Sequence, residues 1–156
     1  MALPDFYKPA GGVVAAELFA VRGLASPEDM TEGHGVAVPL MDDGSSYDEE
    51  LSAPDGQVSV RHTLVLCSDR KLAAAWFDGR FLRLCAAEGV AAVVKMASGE
   101  RIVAGWCPRF GFEQALRLQS LRFLSGERPA DSPRVKLILE CRDTRSAFDE
   151  GQNANI

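Results

Sequence analysis

Between Val58 and Leu66 apolar and polar positions alternate. Val58, Val60, His62, Leu64 and Leu66 fall on one side, with Ser59, Arg61 and Thr63 on the other. A period of two predicts a strand with one buried face. Ser68-Asp69-Arg70 then reads as a turn and Leu72 to Phe77 as a second strand. Asp78-Gly79, flanked by Phe77 and Phe81, is a strong hairpin signal, because a two-residue turn of this kind needs positive φ. Phe81 to Ala86, Val90 to Met96 and Arg101 to Cys107 follow as strands, separated by turns at Glu88-Gly89 and Ser98-Gly99-Glu100. The pattern predicts five consecutive antiparallel strands, a meander.

After Pro108 the residues change character. Good helix formers fill Phe112 to Leu124, and Ser125-Gly126 suits a C-terminal cap, which predicts a helix. At about 100° per residue, Phe112, Ala115, Leu116 and Phe123 fall on one side of that helix, and Leu118, Leu121 and Leu124 on the other. A helix docked on a sheet needs only one apolar stripe. The second stripe calls for a second cover, either another segment of the chain or a neighbouring subunit. Val135 to Cys141 alternates again and predicts a last strand. Gly12 to Arg22 mixes β-branched residues with Ala, Glu and Leu; strand is favoured over helix there.

Together these elements predict a mainly β (α+β) fold: an antiparallel meander forming a barrel or sandwich with one flanking helix. The chain divides into an N-terminal arm or strand (1–22), a long acidic loop (23–56), a core of meander plus helix (57–145) and a polar tail (146–156). At 156 residues it has length for one domain with a real core. No apolar run approaches the roughly 20 residues of a membrane-spanning helix. The N-terminus carries Asp5 and no basic region, so the mature chain is expected to start near Met1.

Charge sharpens the division. Residues 23–60 hold nine acids and no Lys or Arg, whereas residues 61–145 hold fifteen basic residues against nine acidic ones. Such a split reads either as a solvated acidic loop or as electrostatic pairing, within a subunit or between subunits.

Candidate chemistry is sparse. Cys67, Cys85, Cys107 and Cys141 each sit in an apolar run, with no paired spacing for zinc, and read as buried thiols. His62 lies on the apolar face of its strand and reads as a packed, hydrogen-bonded residue, while His34 sits in a Gly-flanked turn. Cys67, five residues on, falls on the opposite face from His62, so the two cannot pair. No nucleophile elbow, phosphate loop or zinc-protease motif occurs. The run Met41 to Glu50 lacks the alternating ligand spacing of a calcium loop. The thirteen arginines are spread rather than clustered. We therefore expect no catalytic residues, no cofactor, no metal, no membrane contact and no specific nucleic-acid binding. Trp76, Phe81, Trp106 and Phe110 could line the mouth of a small ligand-binding barrel, or simply fill the core.

The layout of Val58 to Cys107, Phe112 to Leu124 and Val135 to Cys141, covering a little under half the chain, resembles small structural proteins of bacteriophage tails, of the tail-tube and distal-tail type. The resemblance implies a non-enzymatic virion subunit that assembles into rings or a tube with copies of itself, and with other tail or baseplate proteins. It implies no catalytic residues. The residues expected at an assembly interface are Leu118, Leu121, Leu124, Arg117 and Arg122 on the helix, and Asp42, Asp43, Asp48, Glu49 and Glu50 in the acidic loop. The alternative is a small β-barrel ligand-binding or adaptor module of the bacterial cytoplasm.

Overall fold

The computed structural model describes residues 12–22, 24–70, 79–107, 111–131 and 133–143. Among the described residues eight strands and one helix are delimited, in order: β1 (Val13–Ala20), β2 (Val36–Val38), β3 (Ser46–Ser52), β4 (Ser59–Asp69), α1 (Gly79–Ala87), β5 (Val90–Met96), β6 (Arg101–Ala104), β7 (Arg117–Leu124) and β8 (Arg134–Asp143). They form two four-stranded sheets, ordered β2-β1-β5-β6 and β3-β4-β8-β7, with every neighbouring pair antiparallel. The fold is mainly β with a helix, as the pattern predicts.

The sheets do not close into one barrel. Ala16 and Leu18 of β1, Ala92 and Val94 of β5 and Ile102 of β6 share one core with Leu64 and Leu66 of β4 and Leu137 and Leu139 of β8. Each sheet thus turns one alternating set of side chains to the other, in the manner of a sandwich. The first sheet also buries part of its outer face. Phe19, Ala91, Val93 and Val103 form a second cluster with Met30, against which Leu24, Trp106 and Phe112 pack. With cover on both faces, β5 reads as a continuous apolar run rather than an alternating one.

Several predicted elements are corrected. Phe81 to Ala86 is helical, not a strand: Phe81, Leu82 and Cys85 are spaced to share one face of α1, which packs on the main core. Gly79 opens this helix and does not adopt positive φ, so the Asp-Gly hairpin does not form; Asp78 and the strand expected at Leu72 to Phe77 lie outside the described residues. The helix ends at Gly89, whose N–H and that of Glu88 both donate to the carbonyl of Leu84, at 3.0 and 2.9 Å. Gly89 has φ +90°, and a Cβ there would lie 2.8 Å from the carbonyl oxygen of Leu116, so only glycine fits. Among the described residues the five-strand meander is therefore replaced by two sheets with crossings between them, in which β5 and β6 form the one expected consecutive hairpin of that stretch.

The helix expected at Phe112 to Leu124 does not form: Phe112 to Gln114 make a turn and Arg117–Leu124 is strand β7. A bulge between Leu118 and Ser120 explains the two apolar stripes: Leu118, Leu121 and Phe123 all register with Leu139, Leu137 and Val135 of β8, hence on the same side. The extra residue breaks the period of two, and the broken period imitates a helix. Pairing along β8 outweighs the good helix propensity of the segment. Ser125-Gly126 accordingly follows a strand and caps no helix.

The acidic segment 23–56 is not one loop. It carries β2, β3 and two short 3-10 turns, at Pro27–Asp29 and Pro54–Gly56. Ser68 and Asp69 belong to β4, paired with Val135 and Arg134, rather than to a turn. Gly12 to Arg22 holds strand β1, Val13–Ala20, as its residues favour.

Candidate interaction surfaces

All the residues expected at an interface except Asp42 and Asp43 fall on the two outer strands of the second sheet. Asp48, Glu49 and Glu50 lie on β3, and Arg117, Leu118, Leu121, Arg122 and Leu124 on β7. Among the described residues no strand pairs with the outer side of either. One edge is therefore acidic and the other basic, with β4 and β8 between them.

The rows that cross the sheet set the geometry. Asp48, Thr63, Glu140 and Arg117 form one row on the outer face, from edge to edge. Tyr47, Leu64, Leu139 and Leu118 form the next row on the core side, and Ser46, Val65, Ile138 and Ser120 the one after. Asp48, Arg117 and Arg122 are exposed, with no ion pair among the described residues. Glu50 instead accepts a bond from Arg61 at 2.6 Å. Leu118 and Leu121 are half-buried against the core and Leu124 registers with Arg134 on the outer face. Each edge also exposes an apolar side chain that was not anticipated, Leu51 on β3 at 66% and Phe123 on β7 at 58%.

Asp42 and Asp43 sit apart from the edge, in the loop that crosses the outer face of β4. Asp43 lies 3.1 Å from Arg134. The loop covers Cys67: its N–H donates to Ser45 Oγ at 2.9 Å, its carbonyl accepts from Met41 N–H at 2.9 Å, and Gly44 packs against its side chain. Cys67 and His62 do face opposite sides, as their odd spacing requires.

Glu49 points inward, unlike its acidic neighbours. Tyr47 Oη donates to Glu49 Oε1 at 2.7 Å and lies 2.5 Å from His62 Nδ1, which is 3.1 Å from the same carboxylate oxygen. A phenol has one proton; with it directed to Glu49, the Nδ1–H of His62 donates to Tyr47 Oη. His62 is the packed, hydrogen-bonded residue its position predicts, and it registers with Cys141 of β8. Burial raises the Tyr47 phenol above its usual range, with the Glu49 bond and charge acting in the same direction, so it stays neutral. Burial also pushes the Cys141 thiol up to about 12, reinforced by the neighbouring Asp143 carboxylate. This network pins β3 to β4. The sequence carried one signal for it, a histidine among apolar positions that must find a polar partner.

All four cysteines are buried thiols outside any disulfide. Phe81 packs on the main core and Trp106 on the second cluster, so these two aromatics line no common mouth; Trp76 and Phe110 lie outside the described residues. Among the described residues no helix is long and apolar enough to cross a membrane, and no group of three or more His, Cys, Asp or Glu could hold a metal ion. No protein-family model, curated protein or solved structure matches the chain.

Proposed function

We propose that this chain is a non-enzymatic structural subunit that assembles head to tail, with the basic β7 edge of one copy against the acidic β3 edge of the next. The observation that supports this is the pair of open, oppositely charged edges on one sheet. Strand directions alternate across β3-β4-β8-β7, so a β7 placed beside the β3 of a like-oriented copy is again antiparallel. Without stagger, the row that ends in Arg117 continues into the row that begins with Asp48, and Leu118 meets Tyr47 on the core side. Like edges repel and unlike edges attract, which selects heterologous contact. Contacts of that kind close as rings or continue as filaments. A role in a bacteriophage tail, with other tail or baseplate proteins as further partners and the virion as location, rests here on these two edges alone, because the meander and the helix that carried the resemblance are replaced among the described residues by two sheets.

Light scattering across concentration and salt, with electron microscopy of the same samples, tests the proposal. Rings or filaments that weaken as salt rises are expected, because exposed pairs are screened. Arg117→Asp and Asp48→Arg should each leave monomers, and the double reversal should restore assembly. A monomer at every concentration, or assembly indifferent to both reversals, overturns it. A second reading, a ligand-binding module, is favoured by a cleft on the other sheet.

A further inference from the structure

The outer face of the first sheet is only partly covered. Where the second apolar cluster stops, a cleft of about 360 Å³ opens, a size that suits a small molecule. Ala15 and Val93 form its apolar floor. At one end Lys95 of β5 and Arg101 of β6 stand directly opposite each other. Two like charges in that relation destabilise a sheet, and neither has an ion pair among the described residues. At the other end stand Glu17 of β1, one row along beside Val93, and Glu32 of the segment that crosses above it.

Glu17 is held in place. Its Oε1 accepts the N–H of Gly33 at 2.9 Å and that of Gly35 at 2.8 Å, while Oε2 has no hydrogen-bond partner among the described residues. A Cβ on Gly35 would lie 2.6 Å from the carbonyl oxygen of Leu18, so the crossing segment sits directly against β1. The cleft therefore presents two unpaired cations at one end, a fixed carboxylate at the other, and apolar surface between.

We propose that the cleft binds a small zwitterion, with its ammonium group at Glu17 and Glu32 and its carboxylate or phosphate between Lys95 and Arg101. A ligand of one charge would match only half the site and meet repulsion from the rest. This site lies on the opposite sheet from the assembly edges and stands whether or not the chain assembles.

NMR titration of the full chain with 4-aminobutyrate and with phosphoethanolamine tests it, with butyrate and butylamine as singly charged controls. Saturable shifts at the amides of Gly33, Gly35, Lys95 and Arg101 are expected with a zwitterion, and affinities about tenfold weaker or worse for the controls. The tighter of the two zwitterions identifies the anionic group. Glu17→Gln keeps an oxygen for the two glycine N–H groups and removes the charge; it and Lys95→Met should each weaken binding by about tenfold while the rest of the spectrum stays unchanged. Absence of saturable shifts with both zwitterions, controls that bind as well as they do, or variants that bind like the wild type would overturn the proposal.

Discussion

The two sheets have equal numbers of strands and opposite relations to their surroundings. In the first, Val90 to Val94 of β5 are all buried, because the second sheet covers one face and the Met30 cluster the other. In the second, Leu64, Leu137 and Leu139 are buried, while Arg61, Arg117, Arg122 and Arg142 stand exposed on the far face or the edge. A sheet wrapped on both sides can offer a ligand only the place where its wrapping stops. A sheet wrapped on one side keeps its edges free, and there the charge along the chain decides what may approach. The uneven charge of the sequence thus marks a difference between edges rather than between a loop and a body.

The largest expected effect tests whether the core belongs to both sheets. Leu137→Ala should cost ~2–5 kcal/mol in urea unfolding, the range for a large side chain lost from a packed interior. Ile138→Ala, on the outer face, should cost less than half as much; equal costs would show that the far face is buried too.

Alkaline pH provides the next contrast. Burial pushes the Cys85 thiol up to about 11 and the Cys141 thiol up to about 12. Folded thiols keep protons that the unfolded chain releases above pH ~9, so stability is full below that pH and falls as pH rises from there toward those values. Each thiol should contribute a loss of about 1.4 kcal/mol per pH unit in that window. Urea midpoints at pH 8 and pH 10 measure it, and Cys141→Ala should flatten the slope; an unchanged slope would mean that this thiol titrates as it does in the unfolded chain.

Tyr47→Phe removes the hydroxyl that joins Glu49 to His62 and leaves buried polar groups short of a partner. A cost of ~1–3 kcal/mol is expected. Hydrogen exchange should then quicken along β3 more than along β1; uniform quickening would show that the network does not pin that edge.

Arg117→Asp should change stability least, within ~1 kcal/mol, because the side chain is exposed and the main cost is a second carboxylate set opposite Glu140. Its effect belongs to assembly alone. A large loss of stability in the monomer would show that the basic edge serves the fold instead.

Strands with one buried face were legible in the sequence. Val58 to Leu66 and Val135 to Cys141 alternate without interruption and appear as β4 and β8. The wrapped strand β5 was legible from its turns, Glu88-Gly89 and Ser98-Gly99-Glu100, more than from its pattern. β7 was not, because one inserted residue shifts Leu121 and Phe123 out of phase with Leu118, and a sequence does not mark which residue is extra. β3 was hidden by its charge: Asp48 and Glu50 point away from the core, and only Tyr47 shows apolar surface inward at full burial. In the sequence the interface residues stand out by charge and by the leucines of a second helical stripe. Their place on two opposite edges follows from sheet order, which depends on long-range pairing and leaves no local trace.

The two sheets are also joined by backbone. Val90 and Leu116 exchange hydrogen bonds of 2.8 and 2.9 Å at the corner where α1 gives way to β5 and the chain enters β7. Gly105, with φ +88°, clears the same spot, since a Cβ there would lie 2.8 Å from the carbonyl oxygen of Val90. Mechanically this corner is a weld between two plates. A pull on the free edge of β7 passes along the β8 ladder on one side and through these two bonds into β5 on the other. The second path is short, so a pull on that edge is felt at once where β5 begins.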